Sequence, residues 1–155
     1  MVKAEFVNSF LTAAEEILNQ ELSEKIEFGK VSGTVTDKTV DEVSVGFKLT
    51  GYLDGLVVYC CSKDTAVKYL ERKIGEKTSD DSLISDAFGE LGNMLTGRSC
   101  MHLNKVGFEV HFSTPIFLLG AGNTIYEIPV ATIQVPVQMS IGPINIVVGV
   151  KIRQT

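Results

Sequence analysis

The sequence predicts an α+β fold: two related halves, each a helix followed by three strands, form a sheet packed against two long helices, with one additional short helix. Three observations carry this. Apolar residues recur at helical spacing over about 4–20 and about 80–104. Runs rich in β-branched residues fill the stretches after each helical segment. The two blocks also follow the same order along the chain, which predicts a single domain over 1–155 with an internal pseudo-repeat over about 4–61 and 78–152.

In the first helix Phe6, Val7, Phe10, Leu11, Ala14, Ile17 and Leu18 fall at i, i+3 and i+4. Three strands are expected next, at about 25–37, 42–50 and 54–61, the last two joined by the turn Thr50-Gly51-Tyr52-Leu53. Ser62 is a suitable N-cap for a short helix over 63–74 that Gly75 ends. Ser79 or Asp80 then caps the second long helix, and strands return at about 107–119, 124–139 and 143–152, with turns at Gly120-Ala121-Gly122-Asn123 and Gly142-Pro143. Near-continuous apolar strands such as 54–61 and 144–150 imply a sheet with one face against the helices and part of the other covered. Apolar edge strands favour pairing with a second copy, so a homodimer is expected.

Composition narrows the function. At 155 residues, 45% hydrophobic and 21% charged, the chain is a folded domain and not a disordered one. Fourteen basic against 19 acidic side chains, with no basic cluster beyond short pairs between Lys63 and Lys77, argue against nucleic acid as partner. The start MVKAEFVNSF has no basic region followed by a long apolar run, and no stretch has the ~18 apolar residues of a membrane span, so a cytoplasmic protein without membrane partners is expected. Cys60 and Cys61 are adjacent in the strand-like LVVYCCS and read as buried free thiols; without CxxC or a nearby Cys/His pair, no zinc site is expected.

The most informative segment is SLISDAFGELGNMLTG, residues 82–97. Ser82, Asp86, Glu90, Asn93 and Gly97 share one helical stripe, while Ile84, Ala87, Phe88, Leu91 and Leu95 take the opposite side. Gly89, Gly92 and Gly97 each cost about 1 kcal/mol relative to alanine inside a helix, which implies that something approaches closely. No GxSxG, P-loop or HExxH is present, and no cysteine sits beside a base. His102, on the apolar side of this helix, and His111, between Val110 and Phe112, read as packed or hydrogen-bonded core histidines; Gly120-x-Gly122 reads as a hairpin turn. That leaves Glu90 and Asn93. An amide both donates and accepts hydrogen bonds, so Asn93 can fix a water for in-line attack on a phosphoryl group. Glu90 can take a salt bridge from a partner lysine or act as general base. Asp86, Glu90 and Asn93 as a hard-cation site would supply only three ligands. The first helix carries a similar pair, Glu16 and Asn19, with coincidence as the rival explanation.

With Asp86, Glu90, Asn93 and the later Pro115, the chain resembles the CheX branch of the CheC/CheX/FliY chemotaxis phosphatases, over its whole length. The resemblance implies hydrolysis of the aspartyl phosphate of a CheY-like response regulator, which brings its own divalent metal (Mg); no cofactor is expected on this chain. Asn93 would orient the water, Glu90 would hold a lysine of the regulator, and Asp86, Gly89, Gly97 and Pro115 would belong to the partner-binding surface. Thr12 stands where a second motif would begin and no proline follows Asn19 at the matching distance, so only the second site should act. A non-catalytic adaptor that binds a response regulator is the alternative.

Overall fold

A computed structural model describes residues 4–36, 41–78, 80–119 and 130–153. The helices are α1 (Ala4–Leu22), α2 (Lys63–Ile74) and α3 (Asp81–Lys105). The strands are β1 (Glu27–Phe28), β2 (Ser32–Thr36), β3 (Val43–Gly51), β4 (Leu53–Cys61), β5 (Val110–Phe112), β6 (Ile116–Leu119), β7 (Val130–Gln138) and β8 (Ile144–Ile152). This is the expected α+β arrangement of two long helices, one short helix and one antiparallel sheet.

Local chemistry sets the helix ends. Ser62 caps α2 by accepting from the Thr65 N–H at 3.2 Å, and Gly75, at φ 76°, closes it by donating to the Glu71 carbonyl. Asp80 caps α3 by accepting from the Ser82 N–H at 2.9 Å, while Ser79, the other expected cap, lies outside the described residues. At its far end the Phe108 N–H reaches back to the Leu103 carbonyl at 3.0 Å across the left-handed Gly107 (φ 94°). That closure uses up residues expected to begin a strand.

The sheet order is β1-β7-β8-β4-β3-β5, with β2 continuing β1 along β7 and β6 continuing β5 along β3. The order reads the same when each first-half strand is exchanged with its second-half counterpart. Each half therefore lends its outer strands to the other. The runs 25–37 and 107–119, expected to be continuous, are each interrupted: residues 29–31 face only 135–136, and residues 113–115 face only 47–48. Proline explains both bulges, since Pro136 on the facing strand and Pro115 within the bulge have no N–H to give the ladder. The turn expected at 120–123 and the start of the strand expected at 124–139 lie outside the described residues.

Alternate residues of the central strands, among them Val45, Phe47, Tyr59, Ile146 and Val148, join the apolar faces of α1 and α3 in one core. Val58, Cys60 and Val147 are buried on the other face of the sheet. Each large apolar side chain so buried contributes roughly 1.5–3 kcal/mol, and this sum fixes the helices against the sheet.

The polar margin between α1 and α3 is clasped by Glu16, which pairs with His102 and lies 3.5 Å from Arg98 Nη1. The hydrogen bond from His102 is the main reason that the Glu16 carboxyl titrates below its ordinary 4.5. A depressed carboxyl pKa makes the clasp fully effective above 4.5 and weakens it as the pH falls through the lower, folded-state value. Urea unfolding should thus show a stability gap between wild type and Glu16→Gln at neutral pH that closes on acidification; a gap independent of pH would refute the assignment.

Candidate active site

The stripe read from the sequence is the outer face of α3. Ser82, Asp86, Glu90 and Asn93 are exposed and Gly97 is half-buried, while Ile84, Ala87, Phe88, Leu91 and Leu95 on the opposite side are buried. Asn93 lies one turn from Glu90, so both side chains leave the same side of a helix whose back is held in the core.

The three glycines divide by role. A Cβ on Gly92 would lie 2.7 Å from the Phe47 ring and 2.8 Å from Val45 Cγ1, so what approaches this residue closely is the chain's own sheet. Gly89 is different, for a Cβ there would meet nothing within 4 Å. At Gly97 a Cβ would make ordinary contact with Phe112 at 3.5 Å. Behind Asn93, Thr96 is fully buried, donates to the Gly92 carbonyl at 2.8 Å and shares a 3.3 Å hydrogen bond with the Tyr59 hydroxyl on β4. Burial pushes the Tyr59 phenol pKa upward, so it stays a neutral anchor. The sequence pattern did not single out Thr96 or Tyr59, because a polar contact between helix and sheet has no periodic signal.

Glu90 is not isolated. Its Oε1 lies 3.6 Å from Lys73 Nζ on α2, and that ammonium lies 3.7 Å from Glu21 Oε1 near the end of α1. Tyr69, one turn before Lys73, donates to Glu21 at 3.2 Å. No sequence pattern marks this cluster, since its members lie on three separate helices.

The other candidates are now placed. His102, expected on the apolar side, is half-buried and paired with Glu16 because it faces the polar margin of α1. His111, expected to be packed, is exposed and lies 3.1 Å from Glu109, since β5 forms an edge of the sheet. Glu16 is turned to α3, and Asn19 accepts from the Ile26 N–H at 2.9 Å, so the first-helix pair serves the chain's own packing. Cys60 and Cys61 are free and buried, as expected, Cys100 is so as well, and burial raises Cys61 to about 12 and Cys100 to about 11. Thiols so raised are poor nucleophiles. Among the described residues no group of three or more His, Cys, Asp or Glu could hold a metal ion, and no helix is long and apolar enough to cross a membrane.

Beyond Asn93 the same face of α3 borders an open groove of about 600 Å³ lined by Gly97, Met101, His111 and Phe112 among others. Pro115 is exposed in the short link between β5 and β6, the two strands that run alongside α3. Asp86 is exposed on the stripe one turn before Glu90.

Solved structures with this architecture include the CheC-like superfamily protein from Shewanella sp. PV-4 (TM-score 0.85, 24% identity, 97% of this chain and 99% of that one). Another is the CheX-CheY-BeF3-Mg+2 complex from Borrelia burgdorferi (TM-score 0.81, 24% identity, 96% of this chain and 99% of that one). The fold is thus that of the CheC-like chemotaxis proteins. Within that class, the family described as "Chemotaxis phosphatase CheX" matches residues 43–138, more than half of the chain. The chain belongs to the CheX family of chemotaxis phosphatases. The "CheY-P phosphatase CheX" of Thermotoga maritima is similar at 29% identity over 119 residues, 76% of this chain and 77% of that protein.

The contrast between the glycines is measurable. Overpacking by a methyl costs roughly 1–3 kcal/mol, of which better helix propensity returns about 1. Gly92→Ala should therefore lower the unfolding free energy by up to about 2 kcal/mol, whereas Gly89→Ala, with open space before it, should raise it by up to about 1. Equal effects of the two substitutions in urea titrations would contradict the different surroundings of these positions.

Proposed function

We propose that this protein hydrolyses the aspartyl phosphate of a CheY-like response regulator, with Asn93 orienting the attacking water and Glu90 docking a lysine of the regulator. One observation above all supports the reading: Glu90 and Asn93 stand exposed on one stripe of a helix whose other side is locked into the core. Phosphoryl transfer asks a protein for placement and charge stabilisation, and a side-chain amide on a rigid helix supplies placement. The name of the Thermotoga maritima relative, a CheY-P phosphatase, supports the same substrate class. The composition of the Borrelia burgdorferi complex agrees with a magnesium ion that arrives with the regulator.

In this reading the regulator covers Asp86, Gly89 and Gly97, and reaches Pro115 and the groove beside Phe112. Gly89 has a purpose there that stability alone does not give it, since an alanine would fit the free protein. Glu90 docks and does not act as base, because its neighbour Lys73 and its exposed position suit an ion pair. The repeated strand order and the matching bulges support an internal repeat within a single domain, in which the first-half pair, Glu16 and Asn19, has passed to structural work. A homodimer joined through its sheet edges belongs to the same proposal, and exposed Ile116 on β6 supports it.

The test is release of phosphate from a phosphorylated CheY-type receiver domain with Mg²⁺. Wild type should accelerate it, Asn93→Ala should lose roughly 100-fold in kcat with the fold unchanged, and Glu90→Gln should act mainly on KM. Equal rates for wild type and Asn93→Ala would remove the role of Asn93. Binding of the phosphorylated receiver with no change in phosphate lifetime would identify the chain as an adaptor instead.

A further inference from the structure

We propose that Lys73 is a positioning residue for Glu90: shared between Glu21 and Glu90, its ammonium holds the Glu90 carboxylate on the outer stripe of α3, ready for a cation of the docking partner. This rests on the docking role proposed above for Glu90.

The arrangement is built from three helices. Lys73 Nζ lies 3.6 Å from Glu90 Oε1 and 3.7 Å from Glu21 Oε1, and it is 6.0 Å from the centre of the Tyr69 ring. The Tyr69 hydroxyl donates to the same Glu21 oxygen at 3.2 Å. Arg72, the preceding residue, ties the end of α2 to the Leu22 carbonyl and to Ser140 Oγ, each at 3.3 Å. Lys73 therefore starts from an anchored backbone, and its stem is only about one-third exposed (34%). Glu90 is 61% exposed, and without a neighbour it would be a long side chain free to choose among several rotamers. The upward shift of the Tyr69 phenol, due first to burial and then to Glu21 and Glu90, agrees with both carboxylates lying close to it.

Charge shows why this pairing does not block docking. Two carboxylates and one ammonium leave the cluster with one net negative charge, so a second ammonium completes it. Glu21 offsets much of the repulsion that Lys73 would exert on an incoming lysine, because it draws on the same ammonium. The carboxylate of Glu90 has several lone-pair sites and can accept from two cations at once. Exposed ion pairs are worth little, which bounds the effect to a few-fold in affinity.

Steady-state dephosphorylation of a phosphorylated CheY-type receiver separates the roles. Lys73→Met should raise KM about threefold with kcat nearly unchanged, and Lys73→Arg should restore most of it. In a Glu90→Gln background the same Lys73→Met change should have little effect, because the carboxylate it positions is gone. A KM rise of equal size in both backgrounds would show a structural role of Lys73 unrelated to Glu90 and overturn the proposal, as would an unchanged or lower KM for Lys73→Met. A wild type that neither binds nor dephosphorylates the receiver would overturn the functional reading itself, and this proposal with it. An active wild type with an indifferent Lys73 overturns the Lys73 assignment alone.

Discussion

The contact of Gly92 with Val45 and Phe47 is the constraint on which the site depends. A helix can lie this close to a strand only where no Cβ intervenes, and the 2.7 Å that a methyl would leave to the Phe47 ring has no room for one. The close approach lets Thr96 reach the Tyr59 hydroxyl and brings Phe88, Leu91 and Leu95 into the core. With those side chains fixed, helical geometry leaves Glu90 and Asn93 one direction to point. Placement of the exposed pair is thus a consequence of packing on the buried side.

The two halves show the same logic with opposite results. Their outer strands are exchanged across the sheet, each with a bulge of three residues facing two, so the scaffold treats the halves alike. Their helices differ. Glu16 is drawn to His102 and Arg98, and Asn19 to the backbone of Ile26, so this pair holds α1 to its surroundings. Among the described residues Glu90 has only a long contact to Lys73, and Asn93 remains exposed. A polar pair whose hydrogen bonds are spent inside the chain has little to offer a partner, whereas the second pair keeps most of its capacity.

Much of this was legible in the sequence wherever it left a period or a cap. The apolar faces of α1 and α3, the caps at Ser62 and Asp80, the closing Gly75 and the exposed stripe all follow from local pattern. Strand limits were less legible, because a bulge depends on what the facing strand offers: Pro136 interrupts a run more than a hundred residues earlier in the chain. The glycines of α3 looked equivalent as letters, yet one meets the sheet and one meets nothing. That His102 would bond to Glu16 was not legible, because the apolar side of a long helix ends in a polar margin that only the neighbouring helix defines. Lys73 and Tyr59 were invisible for a related reason, since tertiary contacts between distant elements have no spacing to read.

The chemistry left to this chain is narrow, and the narrowness bears on how it can work. Its thiols are buried and raised, with Cys100 at about 11, so no sulfur nucleophile is ready. What the outer face of α3 offers is an amide, carboxylates and empty space, all on a rigid support. Such a surface cannot break a bond alone, but it can complete a centre whose electrophile and metal come with another protein. In the proposed function each helix residue is then under one of two demands that scarcely overlap: the buried side keeps α3 on the sheet, and the exposed side would fit the partner. Gly89 is itself buried, yet a Cβ there would meet nothing within 4 Å, so the glycine lowers helix stability without easing a contact in the free chain, and in the proposed function a second surface pressed against α3 would make that absence of a methyl useful.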